Sequence, residues 1–182
     1  GVLAGGEHYT PQVFETADQL KIVARSGVGV DHVDLKSAAE HGVWVTNTPG
    51  ATNTSVAEFS IGLMLSLLRH ITTLAAQMKT GKFVRTGGRE LAGLTLGVIG
   101  TGGIGQEVSR LARAFGTQVL GYDIHPDPDF SQAHRVEYVS LKQLLQQSDI
   151  VTIHCGLDES TRGMIGEAEL QLMQPTAYLV NT

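Results

Sequence analysis

Short apolar runs alternate with amphipathic segments along this chain. Val2 to Ala4, Ile22 to Ala24 and Val43 to Val45 are brief, β-branched and bounded by polar or glycine-containing stretches, the pattern of buried strands. Between them, Thr10 is positioned to cap a helix with Pro11 in its first turn, and Asp34 to cap another that stops at Gly42. This strand–helix alternation predicts a parallel sheet with helical crossovers. A turn-rich stretch, Asn47 to Thr54, then reads as a linker. Beyond it, Ser55 and Glu58 have capping-box spacing for one long helix carrying Val56, Phe59, Leu63, Met64, Leu67, Ile71, Leu74 and Met78. Around Ile61 to Leu68 that helix is apolar on nearly every side, so another layer or a second subunit must cover it.

After Gly87-Gly88 the alternation resumes, with strands predicted at Thr95 to Ile99, Gln118 to Tyr122, Asp149 to Ile153 and Ala177 to Val180, and a short edge strand at Val136 to Val139. Helices fill the gaps: Gly103 to Phe115, Ser140 to Gln147 with a second capping pattern (Ser140, Gln143), and Glu167 to Met173 before Pro175. The fold class is therefore α/β, with the front half of a doubly wound parallel sheet in residues 53–182 and a smaller alternating unit in residues 1–52. Gly1-Val2-Leu3 begins inside one strand pattern and Thr182 directly follows another, so the chain reads as a segment of a longer protein.

The first chemistry lies between the strand at Thr95 and the helix that follows it. Gly100-Thr101-Gly102-Gly103-Ile104-Gly105 has the G-x-G-x-x-G spacing of a dinucleotide fingerprint, with Asp123 about twenty residues on, at the end of the next strand. Gly100 permits the tight turn, Gly102 lets a pyrophosphate approach the backbone, and Gly105 lets helix and strand pack closely. Amides at the helix start meet the phosphate charge. Asp123 is suited to accept hydrogen bonds from ribose hydroxyls and to repel a ribose phosphate, which predicts NAD rather than NADP as cofactor.

Composition narrows the partners. A formal charge of −5 without a Lys/Arg cluster argues against nucleic acid, and 42% hydrophobic with 17% charged residues describes a globular chain. The single cysteine, Cys155, fits a reducing compartment, and nothing resembles a signal peptide or a membrane span, so a cytoplasmic location is expected. Metal-ligand spacing is missing, and no metal site is expected.

A second loop, Arg25-Ser26-Gly27-Val28-Gly29-Val30-Asp31, follows a strand. Its glycines free consecutive amides and Arg25 supplies a cationic fork, a combination that suits a small carboxylate or phosphate. The other reading is a glycine-rich loop with Arg25 paired to a surface acid.

Arg25 to Leu35, Asn47-Thr48-Pro49, Ser55 to Phe59, Leu91 to Gly100 and Ser148 to His154, in this order, resemble the D-isomer-specific 2-hydroxyacid dehydrogenase family over nearly the whole chain. Within it, the branch acting on 3-phosphoglycerate is the most similar. The resemblance implies a flavodoxin-like substrate domain (residues 1–52, partial), a Rossmann-type NAD domain (residues 53–182, partial) and an active site in the cleft between them. It implies a homodimer through the helix starting at Ser55. It assigns Arg25 and the amides of Val28 and Gly29 to a small anionic substrate, and Thr48, Gly103, Ile104, Asp123, Cys155, Gly156 and Thr182 to the cofactor, beside Gly100, Gly102 and Gly105. Gly156 stands where the family usually has proline, Gly103 where a larger polar residue is common, and His32 where asparagine is common.

By the same resemblance, the family's carbonyl-polarising arginine, its acid and its catalytic histidine would follow Thr182. No catalytic residue is therefore expected within these residues, and the chain alone is expected to be inactive. His154, at a strand's carboxyl end, is the only histidine near the cofactor by topology, and reads as a core histidine bonded to backbone. His8, His41, His70, His125 and His134 read as solvated, and Trp44 and Tyr122 as core. The implied function is hydride transfer between NAD and a small D-2-hydroxy acid, with 3-phosphoglycerate favoured over glyoxylate or hydroxypyruvate. A non-catalytic NAD-sensing module on the same scaffold is the alternative.

Overall fold

A computed structural model describes all 182 residues, which divide into two compact units, residues 1–52 with 156–162 and residues 53–155 with 163–182. In the first unit β1 (Val2–Ala4), β2 (Ile22–Arg25) and β3 (Trp44–Thr46) pair in parallel in that order, connected through α1 (Pro11–Thr16) and α2 (Leu35–Glu40). Asp34 caps α2 as the sequence predicts, accepting the Ser37 N–H at 2.7 Å, and the chain leaves the helix through Gly42 at φ +65°. Thr10 precedes α1, but its hydroxyl donates to the Gln12 side chain at 3.3 Å instead of capping the backbone. Strand β3 begins one residue later than the apolar pattern suggests. Val43 packs into the core with Ala38 and Val23, while Trp44, expected inside, is 76% exposed on the edge strand.

The second unit carries β4 (Thr95–Ile99), β5 (Gln118–Tyr122), β6 (Val136–Tyr138), β7 (Ile150–Ile153) and β8 (Tyr178–Asn181), all parallel, in the order β6-β5-β4-β7-β8. The chain winds outward from β4 to β6, then returns to the other side of β4. That is a doubly wound sheet with its switch point between β4 and β7, where open α/β sheets bind ligands. Helices α3 (Asn53–Leu68), α5 (Gly103–Ala114) and α6 (Pro128–His134) pack on one face, where Leu96 and Val98 meet Met64, Val108 and Ala112. On the other face Ile99 and Val151 meet Leu144 and Leu145 of α7 (Leu141–Gln147), with Leu172 of α8 (Glu167–Leu172) beside them. Alternate residues of β4 thus serve opposite layers, as a strand buried on both faces requires. Each large side chain buried here contributes ~1.5 to 3 kcal/mol.

Two expectations about helices need correction. The single long helix is two: α3 ends at Leu68, His70 adopts a left-handed φ of 53°, and α4 (Ile71–Lys79) leaves at a 68° bend. Apolar periodicity passes through such a break because it carries no information on backbone hydrogen bonding, and here Ile71 and Met78 of α4 are exposed despite it. Helix α3 also begins at Asn53, so Ser55 and Glu58 lie inside its first turns and not at its cap. It buries Ala57, Ser60, Ile61, Met64 and Leu68 and leaves Phe59 and Leu67 exposed. Helix α6 was not expected at all, although Asp127-Pro128 is a start signal: Asp127 accepts the Phe130 N–H at 3.0 Å. The capping box of α7, by contrast, forms as predicted between Ser140 and Gln143. No single helix is long and apolar enough to cross a membrane.

Candidate functional site

The fingerprint residues occupy the switch point of the second sheet. Strand β4 ends at Ile99, and Gly100 turns the chain at φ +84°, a conformation L side chains rarely adopt. A Cβ at Gly100 would also run into the Cys155 backbone after β7, so the β4 and β7 turns are in direct contact. Gly105, in the first turn of α5, faces the Gly100 carbonyl oxygen, which a Cβ would overlap. Gly102 is different. As N-cap of α5 it sits at φ −68° and ψ −164°, with nothing within 4 Å of the place a Cβ would occupy. No side chain caps this helix end, so the amides of its first turn, Gly103 and Ile104 among them, are free to face an anion. The side chain that Gly103 lacks is replaced in space by Asn53, whose amide nitrogen fills that position.

Asp123 follows β5 and is held from three sides. Its Oδ2 accepts the Thr101 N–H at 2.6 Å and the Thr101 hydroxyl at 3.2 Å, while Oδ1 accepts the His125 N–H at 2.9 Å. Burial pushes its carboxyl up, but the donors of His125 and Thr101 outweigh this and leave it below the ordinary aspartate value. It is therefore ionised at neutral pH, the state that accepts from hydroxyls and repels phosphate. Neither Thr101 nor His125 carried meaning in the sequence reading. Both lie beside recognised motif positions; His125 reaches the carboxylate within its own turn, two residues on, while only the register of β4 against β5 brings Thr101 to it.

Cys155 and Gly156 follow β7. Cys155 is half-buried with its thiol 3.6 Å from the Met164 sulfur, and Gly156 is exposed, its carbonyl accepting the Thr161 hydroxyl at 2.7 Å. Thr182 lies exposed just past β8. His154 bonds a side chain and not backbone, contrary to expectation: its Nε2 lies 2.9 Å from the hydroxyl of fully buried Thr152. Burial pushes His154 down to about 4, so it is neutral at physiological pH. His8, His41, His70 and His125 are exposed, as read from sequence, His41 also bonding the Ser37 carbonyl through Nδ1 at 2.8 Å, whereas His134 is half-buried. No three His, Cys, Asp or Glu side chains converge on a point that could hold a metal ion.

In the first unit, the Arg25 loop is shaped by its carbonyls. The Gly27 carbonyl accepts the Thr48 N–H at 3.0 Å, the Val28 carbonyl accepts the Asn47 side-chain amide at 2.8 Å, and the Gly29 carbonyl accepts Arg25 Nε at 3.0 Å. With three successive carbonyls fixed, the amides of Val28 and Gly29 are left with no partner in the chain. Thr48, read as a cofactor residue, thus also braces this loop, and Asn47 beside it was missed. Arg25 is only 9% exposed, and its Nη1 is buried without a hydrogen bond. The ion pairs of the protein, His32–Asp31, Lys36–Glu40, Arg89–Asp149 and Arg110–Glu107, do not include it, so the reading of Arg25 as partner to a surface acid is not realised.

This geometry has known counterparts. Residues 61–182 match the family model described as "D-isomer specific 2-hydroxyacid dehydrogenase, NAD binding domain". The chain is 42% identical to the hydroxypyruvate reductase of Thermotoga maritima, covering 100% of itself and 59% of that protein. It is 41% identical to the D-3-phosphoglycerate dehydrogenase of Methanocaldococcus jannaschii, covering 99% of itself and 35% of that protein. The D-lactate dehydrogenase of Aquifex aeolicus, solved with NAD and lactic acid, superposes with a TM-score of 0.89 at 33% identity, over 98% of this chain and 55% of that one. The chain thus spans between 35% and 59% of the length of these relatives. Its fold, its fingerprint and these likenesses agree: the chain belongs to the D-isomer-specific 2-hydroxyacid dehydrogenase family, and it carries that family's NAD-binding domain.

Proposed function

We propose that the protein serves hydride transfer between NAD and a small D-2-hydroxy acid or its 2-oxo counterpart, and that these residues supply the binding half of that work. NAD, when bound, supplies the redox chemistry at its nicotinamide ring. Arg25 and the amides of Val28 and Gly29 hold the substrate carboxylate. Gly100, Gly102, Gly103, Ile104 and Gly105 receive the cofactor's diphosphate, Asp123 its adenosine ribose, and Thr48, Cys155, Gly156 and Thr182 border it. The histidine buried beside the turn, His154, is held neutral by burial and bonded to Thr152. A homodimer through the exposed face of α3, with Phe59 and Leu67, completes the reading.

The observation that carries it is the buried, unpartnered Nη1 of Arg25. A guanidinium donor kept dry and unbonded is costly unless a ligand completes it. Two substrate classes remain in play. Overall likeness to a phosphoglycerate dehydrogenase supports 3-phosphoglycerate. The second reading, hydroxypyruvate or glyoxylate, draws on likeness to a hydroxypyruvate reductase.

The test is calorimetric binding of 3-phosphoglycerate, hydroxypyruvate and glyoxylate to the NAD(H)-loaded protein, with Arg25→Ala for comparison. Loss of one charge-assisted bond of ~1.5 to 3 kcal/mol weakens the preferred acid by about 10- to 150-fold. Equal binding by the variant would remove Arg25 from the substrate site, and the rank of the three acids decides between the two classes.

A further inference from the structure

Beyond the fingerprint and its acid, a chain of hydrogen bonds runs from strand β6 back to Asp123. Thr101, the variable residue between the first two glycines, is 3% exposed, and its hydroxyl lies 2.8 Å from the Tyr138 hydroxyl. The Asp127 N–H donates to that same Tyr138 oxygen at 3.2 Å. Asp127 in turn caps α6 and accepts the Gln106 side-chain amide of α5 at 3.1 Å. The Tyr138 ring lies on Gly121 of β5, where a Cβ would stand 3.0 Å from the ring edge.

The proton directions along this chain are fixed by its two ends. A backbone N–H can only donate, and an ionised carboxylate can only accept. Asp127 N–H therefore donates to Tyr138, the Tyr138 hydroxyl to Thr101 Oγ1, and the Thr101 hydroxyl to Asp123 Oδ2. Every donor in the series points toward the carboxylate. Oδ2 is then filled by the Thr101 amide and hydroxyl, and Oδ1, with one bond from His125, keeps an acceptor site open. A carboxylate has about four acceptor sites, so three are committed to the protein and the fourth is left open.

We propose that Tyr138 and Thr101 are positioning residues for cofactor selectivity: acting through Asp123, they fix the single open acceptor site that distinguishes a ribose hydroxyl from a ribose phosphate. This rests on the reading of Asp123 as the ribose acid. Tyr138 does not touch the cofactor in this scheme; it orients the hydroxyl of Thr101, which orients the carboxylate. The loop from Asp123 to Asp127 is tied to β4, α5 and β6 at once, so a lost hydroxyl at Tyr138 frees both ends of the chain.

Tyr138→Phe keeps the ring on Gly121 and removes only the hydroxyl. Calorimetric titration with NAD and with NADP should show the ratio of the two affinities falling about five- to tenfold, with NAD weakened and NADP unchanged or improved. Thr101→Val should give a similar fall and Thr101→Ser, which keeps the hydroxyl, should restore the ratio. A structural role alone would weaken both cofactors in parallel, and that result overturns the proposal, as does an unchanged ratio. Asp123→Ala separates the two levels of the argument. If it abolishes the preference while Tyr138→Phe does not, Asp123 reads the ribose without this support. If Asp123→Ala leaves the preference intact, the ribose reading and the proposal fall together.

Discussion

Gly102 and Gly105 look equivalent in the fingerprint, yet the structure gives them opposite consequences when a methyl group is added. At Gly105 the new Cβ would overlap the Gly100 carbonyl oxygen and stand 3.2 Å from a Val98 methyl group. Both neighbours belong to the core around β4, and a backbone oxygen cannot swing aside as a flexible side chain can. Overpacking of this kind costs ~1 to 3 kcal/mol, a fall in Tm of roughly 2 to 12 °C for a chain of this size. At Gly102 the Cβ meets nothing within 4 Å, and φ −68° with ψ −164° suits an L residue. Gly102→Ala should therefore melt within about 1 °C to 2 °C of the parent, helped slightly by a less flexible unfolded chain. Its effect appears in binding, because the open space is the approach of the diphosphate to the α5 amides. Displacing one charge-assisted bond there weakens NAD by about tenfold or more. Differential scanning fluorimetry and calorimetric NAD titration on both variants read the two effects separately. Wild-type NAD affinity in Gly102→Ala, or a wild-type Tm in Gly105→Ala, would refute the division of labour.

Two further outcomes follow from the geometry. His154 is pushed down to about 4 from an ordinary 6.5, so between these values the unfolded chain binds the extra proton. Its contribution is complete above pH 6.5 and is lost as pH falls toward 4, up to about 3 kcal/mol in all. Urea denaturation from pH 7 to pH 4.5 should show this slope in the parent and its loss in His154→Gln; identical slopes would refute the assignment. On α3, Phe59 is 60% exposed, so under the proposed homodimer Phe59→Glu should keep the native circular dichroism spectrum while sedimentation velocity shows the monomer. The same sedimentation coefficient in parent and variant would refute a homodimer through this face.

The parts of the fold that were legible in the sequence are those set by local rules. The strands β4, β5 and β7, the Asp34 cap, the α7 capping box and the G-x-G-x-x-G turn depend on residues within a few positions of one another, and each formed where read. The misreadings have distinct physical causes. The break at His70 was hidden because the apolar stripe continues across it, although α4 buries none of its residues and leaves Ile71 and Met78 exposed. Trp44 was assigned to the core by hydrophobicity alone, while β3 alternates and its outer face is the sheet edge. Thr10 sits at a cap position, yet its hydroxyl has a competing acceptor on Gln12. For the candidate site, sequence spacing identified the glycines, Asp123 and the Arg25 loop. It did not identify the residues that hold them, because Tyr138 reaches Thr101 across 37 positions and Asn47 reaches Val28 across 19. Those pairings exist only once β5, β6 and the linker have taken their places.

The measurement that bears most directly on the account is calorimetric titration of the protein with NAD and, in parallel, with NADP. An ionised Asp123 with one open acceptor site predicts a saturable NAD isotherm, and at least about tenfold weaker binding of NADP, whose ribose phosphate meets the carboxylate's charge. Equal affinity for the two cofactors, or no NAD binding by a protein with a cooperative melting transition, would contradict the reading of Gly100 to Gly105 and Asp123 as the site that holds the cofactor.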